Sequence, residues 1–88
     1  MIIDQMPLFK KAYKKLHRVQ KKKVGDAIRL IIEYPEKGQE KKGDLAGVRV
    51  HKFKINTQEF LLAYEYSAER ILLLAIGSHE NFYRDLKR

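Results

Sequence analysis

Six consecutive apolar residues, Ile71, Leu72, Leu73, Leu74, Ala75 and Ile76, narrow the folds open to this chain more than any other stretch. The run is far too short to span a bilayer, and its length suits a strand. Side chains of a strand alternate between two faces, so a strand apolar on both needs cover on both. Two more strand-like segments, 48–55 and 60–66, lie just upstream. They are separated by Asn56-Thr57-Gln58-Glu59, and the last two runs by Ser67-Ala68-Glu69-Arg70. This spacing predicts consecutive hairpins forming an antiparallel meander, with 71–76 as its central, doubly covered strand. Gly77 is expected to end that strand. Ser78 is expected to cap a short closing helix containing Glu80, Asn81, Phe82, Tyr83 and Leu86.

The cover for one face comes from upstream. Ile2 and Ile3 suggest a short first strand, and Pro7 suits the first turn of a helix, where its missing N–H is no loss. Phe9, Ala12, Tyr13, Leu16 and Val19 recur at steps of three and four, an amphipathic helical stripe. After a break expected near Lys22 and Lys23, a second stripe follows through Val24, Ala27, Ile28, Ile31 and Ile32. Pro35 should end it, because proline cannot continue the hydrogen-bond ladder. Residues 34–43 are polar, with one proline and two glycines, and are expected to form a surface loop. The expected fold is one α+β domain over residues 1–88. It has a small antiparallel sheet, made of a three-strand C-terminal meander plus a short N-terminal strand. Two antiparallel N-terminal helices pack on one face, and a short C-terminal helix closes the chain.

Composition bounds the function. The chain has no cysteine, so disulfide frameworks, thiolate metal sites and cysteine nucleophiles are excluded. His17, His51 and His79 lack ligand-like spacing, and no metal or other cofactor is expected. Gly43-Asp44-Leu45-Ala46-Gly47 lacks the pattern of a phosphate-binding loop. Neither a secretory signal nor a membrane-spanning run is recognisable, so a cytoplasmic protein without a membrane partner is expected. The formal net charge is +8, while 44% of residues are hydrophobic. A folded domain with that balance is expected to seek polyanions, nucleic acid or the ribosome first. The polar side of the first helical stretch carries Lys10, Lys11, Lys14, Lys15, Arg18, Lys21, Lys22 and Lys23, candidate contacts for phosphate.

The strand candidate 48–55 has an unusual face. Its parity puts Lys52 and Lys54 on one side with Val48 and Val50, and Phe53 and Ile55 on the other. A bulge, or a core covering only the first half of that face, would reconcile valines with lysines. With His79 and Tyr83 beyond the last strand, the lysines form a set suited to cleaving RNA without a metal. Such cleavage needs a base for the ribose 2′-hydroxyl, an acid for the departing 5′-oxygen, and cations against the charge on phosphorus. Lysine can act as the base where neighbouring cations disfavour its protonated form, and histidine exchanges protons near neutrality. Arg49 and Arg70 are further candidate phosphate contacts. His17 and His51 read as structural.

The order of elements and three stretches resemble the RelE/ParE superfamily of type II toxins. These are the Leu45-Ala46-Gly47 loop leading into Val50-His51-Lys52-Phe53-Lys54, then Phe60-Leu61-Leu62-Ala63-Tyr64, then Ala75-Ile76-Gly77-Ser78-His79 with Asn81-Phe82-Tyr83. The resemblance implies a toxin neutralised by a cognate acidic antitoxin. For RelE-like members it implies a ribosome-dependent, metal-free endoribonuclease that cleaves mRNA. It would make Lys52, Lys54, His79 and Tyr83 the catalytic residues. The third-strand arginine of such members is replaced here by Leu61. The ParE branch shares the fold and inhibits DNA gyrase instead; that alternative stays open, as does a non-catalytic RNA-binding relative.

Overall fold

The computed structural model describes residues 2–79 and Phe82. Its elements are β1 (Ile2–Gln5), α1 (Pro7–Lys14), α2 (Arg18–Glu33), β2 (Gln39–Glu40), β3 (Arg49–Ile55), β4 (Gln58–Ser67) and β5 (Arg70–Ser78). The α+β class and the two N-terminal helices are present, but the sheet differs from the one expected. It is a five-stranded mixed sheet in the order β1-β5-β4-β3-β2. β1 runs parallel to β5, with Ile3 beside Ile71 and Gln5 beside Leu73. The edge strand β2 arises from the supposed surface loop, where Gln39 and Glu40 pair with Val50 and Arg49. A two-residue strand of polar side chains carries no periodicity, so its backbone pairing left no trace in the sequence. The central strand is β4, with β5 between it and β1.

The two ends of the chain's apolar pattern also need correction. The helix break falls at residues 15–17 and not near Lys22 and Lys23. His17 has extended backbone and begins α2, with its N–H donating to Gln20 Oε1 at 3.1 Å. Val19, which extends the first stripe arithmetically, therefore belongs to α2 and is 52% exposed. At the other end Gly77 does not stop the strand. It pairs with Leu61, and Ser78 with Phe60, because β4 continues opposite them. Ser78 is thus a strand residue, and no C-terminal helix occurs among the described elements. Glu80, Asn81, Tyr83 and Leu86, assigned to that helix, lie outside the described residues.

Two cores sandwich the sheet. Phe9 of α1 and Val24, Ala27 and Ile31 of α2 pack on Ile55, Phe60, Leu62, Tyr64, Ile71, Leu73 and Ile76. On the opposite face Val48, Val50, Leu61, Ala63, Ala75 and Phe82 form a second, smaller core, with Leu45 and Leu74 at its margin. A bulge explains how β5 feeds both. The register passes from Ala63–Ala75 to Tyr64–Leu73, leaving Leu74 as the extra residue. Ile71, Leu73 and Ile76 therefore all face the helices despite the three-residue step between the last two.

Turns fix the hairpins. Asn56, with φ 58°, tolerates the left-handed region, whereas Ala68, with φ 44°, does so against its Cβ. Replacing Ala68 with glycine is expected to raise stability by about 0.5–1 kcal/mol, after glycine's greater unfolded-state freedom is subtracted. Urea unfolding reads this directly. An unchanged or lower midpoint contradicts it.

Candidate functional site

The lysine pair is positioned by ladder and turn. β3 and β4 are joined through Asn56 and Thr57, and the register sets Val50 opposite Ala63, Lys52 opposite Leu61 and Lys54 opposite Glu59. Lys52 and Lys54 therefore project from one face of β3, the face of the smaller core and not that of the helices. The small core covers only the first half of that face: Val48 and Val50 are buried, while Lys52 and Lys54 are exposed. The loop before β3 makes this possible. Gly43 and Gly47 adopt φ of 70° and 88°, turning the chain so that Leu45 tucks against the valines.

His79 follows the end of β5 on this face. Its Nε2 lies 4.0 Å from Glu59 Oε1, and both side chains are substantially exposed. Lys54 thus faces Glu59 across β3 and β4, with His79 next to Glu59 just beyond the end of β5 and Lys52 one row away opposite Leu61, which pairs with Gly77. A Cβ at Gly77 would meet nothing within 4 Å among the described residues. Neither lysine is in an ion pair among the described residues. Glu59 was missed as a site residue. Its signal was available, because counting a two-residue turn back from Gln58 opposite Ile55 places Glu59 opposite Lys54.

The two sheet arginines do not join this group. Arg49 shares its parity with His51 and Phe53, on the opposite face from Lys52. Its guanidinium donates to the carbonyl oxygens of Glu36 at 3.2 Å and Gly38 at 3.1 Å. Arg70 begins β5, at the far end from His79, and pairs with Asp4 at 3.5 Å. Leu61, where the resemblance implied a cation in other members, is fully buried in the smaller core. Tyr83 lies outside the described residues. The eight cations between residues 10 and 23 sit on α1, on α2 and at the bend joining them, across the sheet from the lysine pair. Among the described residues, no group of three His, Cys, Asp or Glu could hold a metal, and no helix could cross a membrane.

His51 is a structural histidine. It is 9% exposed and stacks on Phe53 with ring centroids 5.7 Å apart. Burial, and then the positive charge of Lys37, push its pKa below the ordinary value of 6.5. In the unfolded chain it takes up a proton near pH 6.5, whereas the folded state resists until lower pH. Stability from this group is therefore present above pH 6.5 and lost as pH falls through the folded-state value. Unfolding midpoints between pH 5 and 8 are expected to fall on the acid side, and to fall less in His51→Leu. An identical slope in both proteins would rule His51 out as the source.

Comparison with known proteins agrees with this architecture. The model of the ParE-like toxins of type II bacterial toxin–antitoxin systems matches residues 3–87. The toxin–antitoxin complex RelBE of Escherichia coli contains a chain of the same fold, with TM-score 0.69 and 17% identity. The match covers 86% of this chain and 93% of that one. The isolated RelE toxin of E. coli gives 0.68 and 15%, covering 88% and 82%. A YoeB/ParE toxin from Agrobacterium tumefaciens gives 0.69 and 20%, covering 90% and 99%. At these identities the likeness is one of fold. No curated protein sequence matches.

Proposed function

Because the chain belongs to the ParE-like toxins of type II bacterial toxin–antitoxin systems, and so has an antitoxin as partner, we propose that it is an endoribonuclease that cleaves mRNA on the ribosome. The observation that carries this reading is the common face of Lys52, Lys54 and His79, with neither lysine in an ion pair among the described residues. Lysines pointing to opposite sides of the sheet would have ruled it out.

The chemistry is a transesterification. Lys52, in its neutral form, takes the proton from a ribose 2′-hydroxyl, and the 2′-oxygen attacks phosphorus. Lys54 stands against the negative charge that builds on the phosphoryl oxygens. The bond from phosphorus to the 5′-oxygen breaks, and protonated His79 gives its proton to that oxygen. The products are a 2′,3′-cyclic phosphate and a 5′-hydroxyl. Tyr83 is proposed as the residue that orients the substrate. The antitoxin is proposed to be acidic and partly disordered, folding over the basic surface.

Leu61 favours a second reading, an inhibitor of DNA gyrase. Its burial puts an apolar side chain where a phosphate-binding cation would serve cleavage. Induced expression followed by primer extension on a reporter mRNA separates the two. Discrete cuts within translated codons, absent in His79→Ala, support the ribonuclease. Intact mRNA accompanied by double-strand DNA breaks supports the inhibitor.

A further inference from the structure

Glu59 is a carboxylate that a phosphate site would do better without. Such a site gains from its cations, and an accessible carboxylate among them repels the RNA. Yet the turn at Asn56 and Thr57 delivers Glu59 directly opposite Lys54, on the face the two lysines share. Cross-strand pairs of opposite charge ordinarily serve the sheet, and in that role the carboxylate would lie against the lysine. It does not. Among the described residues the ion-pair contact of Glu59 is with His79, Oε1 to Nε2 at 4.0 Å, and Lys54 takes part in none. The side chains of Glu59 and His79 are 40% and 58% exposed, so a substrate can reach the pair.

The two residues are held differently. Glu59 belongs to β4, the central strand, and its backbone is fixed by the ladder to β3. His79 comes one residue after the ladder between β4 and β5 ends, at Phe60 opposite Ser78. A ring beyond the last rung takes its orientation from what its nitrogens meet, and the partner it meets among the described residues is Glu59.

The two nitrogens of a histidine are not equivalent. A carboxylate at one of them keeps a proton there and leaves the other to exchange. With Nε2 turned to Glu59, the proton for the leaving group comes from Nδ1. As the bond from phosphorus to the 5′-oxygen breaks, the Nδ1 proton passes to that oxygen, and the neutral ring keeps its proton on Nε2. A separation of 4.0 Å is loose for a hydrogen bond, and contacts of this kind tighten once substrate is bound.

We propose that Glu59 is a positioning residue for the cleavage reaction, whose carboxylate orients the imidazole of His79 and fixes its tautomer so that Nδ1 faces the leaving oxygen. The inference rests on the ribonuclease reading and gives Glu59 a role exerted through His79, not on the phosphate.

The test is steady-state cleavage of a short mRNA programmed on ribosomes, by the full chain freed of antitoxin. The scissile 5′-oxygen is either retained or replaced by sulfur. A thiolate leaves far more readily than an alkoxide, so the sulfur substrate has little use for an acid. On the oxygen substrate Glu59→Ala is expected to lower kcat by about 10–100-fold, the cost of a misplaced catalytic group. It should also lower KM by about 2–5-fold, because a charge that repels RNA is gone. A merely structural role would not lower both. Glu59→Gln keeps the size of the side chain and an oxygen that can accept from Nε2–H, and should recover most of the lost kcat. On the sulfur substrate Glu59→Ala and His79→Ala should both cut as fast as the unmodified chain. An unchanged kcat in Glu59→Ala overturns the proposal, as does a loss that persists on sulfur while that of His79→Ala is rescued. If sulfur fails to rescue His79→Ala, the histidine is not the acid, and the mechanism proposed for the site falls together with this role for Glu59.

Discussion

Lys52→Ala is expected to lower mRNA cleavage by about 10²–10⁴-fold without unfolding the protein, the range typical for removing a positioned proton-transfer group. The side chain is exposed and outside the ion pairs of the described residues, so its loss should change stability by no more than about 0.5 kcal/mol. That separation between activity and folding makes the variant informative. Lys54→Ala removes charge beside Glu59 and should weaken cleavage without altering where the mRNA is cut. Purified variants are compared by circular dichroism for folding and by gel analysis of reporter mRNA for cutting. A Lys52→Ala protein that is folded and cuts at the original rate would remove the lysine from the chemistry.

The second large effect concerns Tyr64, which joins the core to the loop beyond α2. The ring is fully buried among the helix-facing residues. Its hydroxyl donates to the carbonyl oxygen of Pro35 at 2.6 Å and accepts from the N–H of Gly38 at 3.0 Å. Arg49 holds the same loop through the carbonyl oxygens of Glu36 and Gly38. Burial raises the phenol's pKa above its usual value, partly opposed by the Gly38 N–H and Arg49, so the hydroxyl remains a donor. Tyr64→Ala is expected to cost about 3–5 kcal/mol, from the cavity and the lost contacts together. Tyr64→Phe keeps the ring and should cost about 1–3 kcal/mol, by leaving Pro35 and Gly38 without this partner. Gly38 is bound to the same device: a Cβ there would stand 2.7 Å from the Tyr64 hydroxyl. Gly38→Ala should therefore be destabilising in the native protein and less so in Tyr64→Phe, a coupling that a double-mutant cycle by urea denaturation measures. Additive losses would mean that the two residues do not act as one clamp.

These two predictions show which parts of the molecule were legible in the sequence. Stripes such as Val24, Ala27 and Ile31 announced their helix because burial follows a 3.6-residue period. The alternation of Lys52, Phe53, Lys54 and Ile55 announced its faces for the same kind of reason. Val50 beside Lys52 was an anomaly with two possible readings, and the small core built around Leu61 and Phe82 selects one of them. Long-range backbone geometry was not legible. The parallel pairing of β1, the edge strand at Gln39 and Glu40 and the bulge at Leu74 depend on partners distant in sequence. The break at residues 15–17 was missed because Val19 happens to continue the apolar spacing of α1. Glu59 joins the cations only through the turn, which delivers its carboxylate between Lys54 and His79. The role of Arg49 was hidden likewise: nothing in its neighbours says that its guanidinium binds loop carbonyls 11 and 13 residues upstream.

The central claim is that the face bearing Lys52, Lys54 and His79 performs metal-free transesterification on mRNA, and the chemistry of the cut ends tests it most directly. Purified chain is added to ribosomes translating a defined mRNA, and the 3′ ends of the upstream fragments are characterised. The account predicts fragments ending in a 2′,3′-cyclic phosphate or its 3′-phosphate hydrolysis product, with 5′-hydroxyls downstream, and none when His79 is alanine. Intact mRNA, or fragments with 3′-hydroxyl and 5′-phosphate ends, would contradict it.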